Sequence, residues 1–260
     1  MKVVAVINQK GGVAKTTTTA NLGTCLAQMG QRTLLMDMDP QANLTLGLGA
    51  ESNITHHSLI HALLEPDAVP LAGVIQRIGD LPLYLAPGHV DMARCEVQLT
   101  QRTGGIYTLR HTLQQLAARH ALDWVLIDCP PSLGALTQNS IIASRYLVVP
   151  TQPALYAFAG MGILNKLIAD LAQTHKFEVE LLGVLMTMVE KGTRLHRTVG
   201  GLIRERFGDK VFQTEIYKSV QIAQSEIEGR PITLLNPKSP SAKSYEALAH
   251  EVLSRVSNTD

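Results

Sequence analysis

Two lysines and a run of hydroxyls stand in the stretch Asn8-Gln9-Lys10-Gly11-Gly12-Val13-Ala14-Lys15-Thr16-Thr17-Thr18-Thr19. This is chemistry for an anion. Paired glycines let a backbone curl until its N–H groups point inward. A helix beginning just after them adds its free N–H groups and dipole. Lys15 is placed to reach the β- and γ-phosphates of a nucleotide, and the Thr16 hydroxyl to hold Mg²⁺. Two further acidic groups fit that chemistry. Asp37-Met38-Asp39-Pro40-Gln41-Ala42-Asn43 follows an apolar run, and so does Asp128 at the end of Trp124-Val125-Leu126-Ile127. Carboxylates at the ends of parallel strands gather where ligands bind. Asp39 could orient an attacking water, and Asp128 could present its carboxylate to the Mg²⁺ shell.

Groups so far apart in sequence need a scaffold to bring them together. Strand-like runs at Val3–Ile7, Thr33–Met38, Leu83–Ala86, Trp124–Cys129, Tyr146–Pro150, Leu181–Met188 and Val211–Ile216 alternate with helical patterns. The helical patterns lie near Lys15–Met29, His57–Leu64, Val90–Thr100, Ile106–His120, Leu136–Ser144, Phe158–Thr174, Leu195–Phe207 and Ser241–Ser257. Such alternation predicts an α/β fold, a mostly parallel twisted sheet flanked by helices. Several strands are apolar throughout, as strands covered on both faces should be. Gly30 stands where a left-handed helix cap is wanted. With 260 residues and no linker or repeat, one domain over 1–260 is the simplest organisation.

Composition excludes more than it assigns. There are 23 Lys+Arg against 22 Asp+Glu, so whole-chain charge does not point to nucleic acid. No apolar run reaches transmembrane length and no signal-peptide pattern opens the chain. Cys25, Cys95 and Cys129 are odd in number and unevenly spaced, which argues against a disulfide framework and for a reduced, cytoplasmic setting. Cys129 reads as a small buried residue. His56, His57, His61, His89 and His111 do not have zinc spacing and read as exposed or capping residues.

The loop departs from the strict G-x-x-x-x-G-K-[ST] pattern, with Gln9 and Ala14 at its glycine positions and Lys10 added. Alanine avoids positive φ, so a right-handed backbone is expected at Ala14. The stretch resembles the deviant phosphate loop, K-G-G-x-G-K-[ST], of the ParA/MinD ATPases. The segment from Asp37 to Asn43 looks like the family's first switch, with Asp39 at its catalytic aspartate. Asp128-Cys129-Pro130-Pro131 looks like the second switch. Val148-Val149-Pro150-Thr151-Gln152-Pro153, with Tyr156 beyond, is similar to a further landmark. The resemblance spans nearly the whole chain and is strongest to the short ParA/Soj-type partition ATPases.

That resemblance implies ATP and Mg²⁺ as ligands. It implies nucleotide binding by Lys10, Gly11, Gly12, Val13, Ala14, Lys15, Thr16 and Thr17, with Met188 and Tyr217 near the base. It implies catalysis by Lys10, Lys15 and Asp39, with Lys10 reaching phosphates of the partner in an ATP-dependent homodimer. Non-specific double-stranded DNA, a ParB-type centromere-binding partner and nucleoid association in the cytoplasm follow as expectations. No helix-turn-helix domain is expected before residue 8. From Lys191 to Lys243 ten basic residues face five acidic ones, a surplus of five. Arg194, Arg197, Lys218, Lys238 and Lys243 are the DNA-contact candidates in that segment. Two other readings compete: a membrane-cycling MinD-like ATPase and a small-molecule ligase of dethiobiotin synthetase type. The last helix has an apolar stripe, Tyr245, Leu248, Ala249, Val252 and Val256, opposite a mixed-charge face. It reads as docked on the core, not as a membrane-surface helix. Lys10 and Asp39-Pro40-Gln41 argue against the ligase.

Overall fold

A computed structural model describes residues 1–51, 58–154 and 157–258. The chain runs β1 (Lys2–Val6), α1 (Lys15–Gln28), β2 (Thr33–Asp37), α2 (Asn43–Gly47), α3 (Leu59–Leu64), β3 (Gln76–Arg77), β4 (Leu83–Ala86), α4 (Met92–Gln101) and α5 (Thr108–Ala117). It continues with β5 (Trp124–Asp128), α6 (Ala135–Ala143), β6 (Tyr146–Thr151), α7 (Ala157–His175), β7 (Glu180–Val189) and α8 (Arg194–Phe207). It closes with β8 (Val211–Tyr217), α9 (Val220–Ile227), α10 (Ile232–Leu235) and α11 (Pro240–Ser257).

The strands form one eight-stranded sheet in the order β3-β4-β2-β5-β1-β6-β7-β8. Every pairing is parallel except β3 with β4, which is antiparallel. The strands' period-two alternation divides the core. Val3, Ala5, Leu34, Met36, Val125 and Ile127 enter the cluster that α3 to α7 cover. Their neighbours Val4, Leu35, Trp124 and Leu126 enter the opposite cluster with α1 and α11. This is why the strands read as continuously apolar. Each of the seven predicted strands is found to within a residue or two. Gly30 has φ +83°, as its capping position requires. Residues Tyr245, Leu248, Ala249, Val252 and Val256 are all fully buried, so α11 is a core helix.

The sequence reading missed β3, α2, α9 and α10. All are short, and β3 has two exposed residues and no apolar alternation to betray it. The helix expected at His57–Leu64 begins at Leu59, and His56, His57 and Tyr156 lie outside the described residues. The segment expected to be helical from Ile106 contains a 3₁₀ turn over Gly105–Tyr107 before α5. Among the described residues no helix is long and apolar enough to cross a membrane.

Candidate functional site

β1 lies at the centre of the sheet between β5 and β6, so the loop after it opens at a topological switch point. Pairing of β2 with β5 brings Asp37 level with Asp128, beside that loop. The rest of the site is built on these strand ends.

Lys15 is 7% exposed, and its Nζ donates to the carbonyl of Lys10 at 3.2 Å. Burial pushes its ammonium below the usual lysine range, against the opposing pull of Asp128, Cys129 and Asp39. The Thr16 hydroxyl donates to Asp128 Oδ2 at 2.7 Å. Asp128 is wholly buried, and its Oδ1 has no hydrogen-bond partner among the described residues. Burial drives the Asp128 carboxyl well above its ordinary value, and neighbouring Asp37 adds to the rise. Asp37 Oδ2 accepts from the backbone N–H of Thr45 at 2.8 Å and from its hydroxyl at 2.6 Å. Burial nevertheless raises Asp37 to about 6. Asp39 is 8% exposed, and its Oδ1 accepts from the N–H of Gln41 at 2.9 Å. A buried, unmatched carboxylate oxygen behind a hydroxyl is a donor set suited to a hydrated divalent cation.

These groups surround a cleft of about 820 Å³ lined by Gly11, Gly12, Ala14, Lys15, Thr16, Thr17 and Asp39 on one side. Met188 and Tyr217 line it on another. Val13 is buried, and its carbonyl accepts from the Thr187 hydroxyl at 3.0 Å, which ties the loop to β7. Lys10 stands apart. It is exposed, and its Nζ lies 3.5 Å from Gln152 Oε1. Its backbone N–H donates to Asn8 Oδ1 at 3.0 Å, and Asn8 Nδ2 donates to the Pro150 carbonyl at 2.8 Å.

Ala14 corrects the sequence reading: its backbone is left-handed, at φ 62° and ψ 36°. The tertiary setting overrides alanine's preference. Val13 is pinned in the core, and the Ala14 carbonyl must accept the first helical bond, from Thr18 N–H at 3.0 Å. The left-handed turn at Ala14 meets both demands.

The basic residues of the C-terminal third divide. Lys218 is paired with Glu190 at 2.8 Å, Arg204 with Glu215 at 2.8 Å and Lys210 with Glu180 at 2.7 Å. Arg194, Arg197, Lys238 and Lys243 are exposed and have no ion pair among the described residues. A second, smaller groove of about 660 Å³ runs past Glu190, Lys191, Lys218 and Ser244. Thr45 and Glu226 went unread in the sequence, because each acts through a partner that only the fold brings to it. Among the described residues no group of three or more His, Cys, Asp or Glu side chains is arranged to hold a metal ion. His89 accepts from the Asp91 N–H at 3.0 Å, and His61 contacts the Ser58 hydroxyl at 2.8 Å.

A glycine-rich loop between a central parallel strand and a helix, flanked by strand-end aspartates, defines a P-loop ATPase. The family described as an AAA domain matches residues 1–181. The chain is 37% identical over 251 residues to the sporulation initiation inhibitor protein Soj of Bacillus subtilis, covering 96% of this chain and 98% of that one. It is 36% identical over 255 residues to the chromosome partitioning protein ParA of Caulobacter vibrioides, covering 98% and 95%. Among solved structures, cobyrinic acid a,c-diamide synthase of Mycobacterium smegmatis, with bound ADP and magnesium, superposes with a TM-score of 0.85 at 33% identity. That match covers 100% of this chain and 97% of the other. The chain belongs to the ParA/Soj family of partition ATPases.

Proposed function

We propose that the chain is a partition ATPase whose two copies close on two Mg-ATP molecules, bind DNA without sequence preference and separate after hydrolysis. Lys15 would neutralise phosphate charge within its own subunit. Thr16, with Asp128 behind it, would hold Mg²⁺, which when bound neutralises charge on the transferring group. Asp39, at the cleft wall with its backbone turn fixed by Gln41, would position the attacking water. Lys10 would act on the other subunit's phosphates, as an arginine finger does. A ParB-type protein would stimulate turnover. Arg194, Arg197, Lys238 and Lys243 would contact DNA phosphates, with Lys218 joining them once Glu190 gives it up.

The observation that carries this reading is the opposite setting of the two lysines. Lys15 is buried in the cleft, whereas Lys10, on the same loop, is exposed and outside it. A monomer has no use for the second lysine. Nucleotide titration with light scattering tests the reading. Lys15→Gln should lose on the order of 10- to 100-fold in ATP affinity, as loss of a charge-assisted contact does. Lys10→Gln should keep monomer affinity within about threefold yet fail to dimerise or hydrolyse. A Lys10→Gln protein that dimerises and turns over ATP like the wild type would sink the two-subunit site.

The likeness to a diamide synthase favours a second reading, in which the same loop activates a small-molecule acid. The two separate on stimulation. A partition ATPase turns over ATP faster with DNA and a partner protein and needs no small acceptor.

A further inference from the structure

Glu226, on α9, is an acid inside a cleft built for anions. Its Oε1 accepts a hydrogen bond from the Thr17 hydroxyl, across 209 residues of chain. It lines the same cleft as Lys15, Thr16 and Thr17, and no cation pairs with it among the described residues. Thr17 lines the cleft beside the loop lysine and the Mg²⁺-side threonine, within reach of a nucleotide phosphate on the reading above. A hydroxyl has one proton to donate, so it serves one anion at a time. A phosphate oxygen at Thr17 would also stand within about 6 Å of the carboxylate that shares the hydroxyl, where like charges repel.

The helix that carries Glu226 is lightly held. Ser225 is the only buried residue of α9, while Val220 and Ile227 are 85% and 87% exposed. Segments with so few buried contacts open at little cost. At its far end α9 meets the segment after α2. A side chain on Gly49 would come within 3.0 Å of the Gly229 carbonyl. α2 in turn carries Thr45, which holds Asp37 beside Asp128. The contact therefore joins the phosphate loop to the first-switch region through a helix able to move.

We propose that Glu226 is a nucleotide-displaced tether: it holds α9 against the start of α1 and is driven off when a nucleotide phosphate takes the Thr17 hydroxyl. The proposal rests on the nucleotide reading of this cleft. Glu226 then sets nucleotide affinity from within the site, and α9, with its exposed Val220 and Ile227, is released only in the loaded subunit.

The test is calorimetric titration with Mg-ADP, paired with hydrogen exchange of residues 220–229. Glu226→Gln should tighten Mg-ADP on the order of tenfold, the effect of removing one charge about 6 Å from a phosphate at intermediate dielectric. Glu228→Gln, just past the end of the same helix and outside the cleft, should change affinity less than threefold. In the wild type, Mg-ADP should speed exchange in α9. In Glu226→Ala, α9 should exchange fast already and respond little to nucleotide. Unchanged or weaker affinity in Glu226→Gln, or an α9 that Mg-ADP protects, overturns the tether while normal wild-type binding leaves the ATPase reading standing. A wild type that binds no Mg-ADP overturns both.

Discussion

Ala14→Gly is expected to stabilise the protein, although glycine usually destabilises. Ala14 holds φ 62° and ψ 36° at the start of α1. A left-handed backbone costs an L-residue roughly 1–2 kcal/mol, because Cβ crowds the following carbonyl. Glycine removes that cost but frees the unfolded chain, a penalty of about 0.5–1 kcal/mol. The net gain is about 0.5–1 kcal/mol. For a chain of this length that corresponds to a rise of about 1–4 °C in Tm. Ala14→Val should move the other way, losing on the order of 1–3 kcal/mol, since a β-branched residue fits this region worst. It should weaken nucleotide binding as well, because the same turn aims Lys15. Chemical denaturation of the three proteins gives the energies, and titration with Mg-ADP gives the second effect. A Tm lowered by Ala14→Gly, or Ala14→Val indistinguishable from wild type, would refute the argument that the loop imposes the left-handed turn.

Asp39→Ala should bind ATP and dimerise but hydrolyse on the order of 10²- to 10⁴-fold more slowly; partner-stimulated turnover near the wild-type rate removes Asp39 from the mechanism. DNA affinity should depend on ATP and fall steeply with salt. Arg194→Ala with Arg197→Ala should weaken binding to all sequences about equally, whereas Glu190→Gln, which frees Lys218, should strengthen it; filter binding against salt reads both. Arg32 grips Asp123 through its backbone N–H at 2.8 Å and its guanidinium at 3.0 Å, joining the strand starts of β2 and β5. Those hydrogen bonds hold Asp123 below the usual carboxylate range. A depressed folded-state pKa gives stability that is present above the unfolded value and lost as pH falls through the folded one. Arg32→Ala should therefore be slightly less stable than wild type at neutral pH, and the difference should vanish in acid, as thermal melts from pH 7 down to pH 2 would show.

Much of the site could be read from the sequence because its chemistry is local. Lys15 and Thr16 follow a glycine pair, Asp128 closes an apolar run and Asp39 stands just past another, so type and spacing alone point to phosphate and Mg²⁺. The strands were legible for a related reason. Burial on both faces makes β1, β5 and β6 nearly unbroken apolar runs, and α11 betrays its core face by a stripe at helical spacing. What only the tertiary structure decided are relations between distant residues. The left-handed turn at Ala14 follows from Val13 being anchored by Thr187 on β7, and alanine by itself predicts the opposite. The basic surplus after Lys191 shrinks because Lys218 and Lys210 find acids outside that segment, Glu190 and Glu180. Asp37 depends on Thr45, and Thr17 on Glu226, through hydrogen bonds that no spacing rule announces. A side chain's type is written in the chain, but its partner is set by how the sheet orders its strands, and here that order puts β1, β2 and β5 side by side.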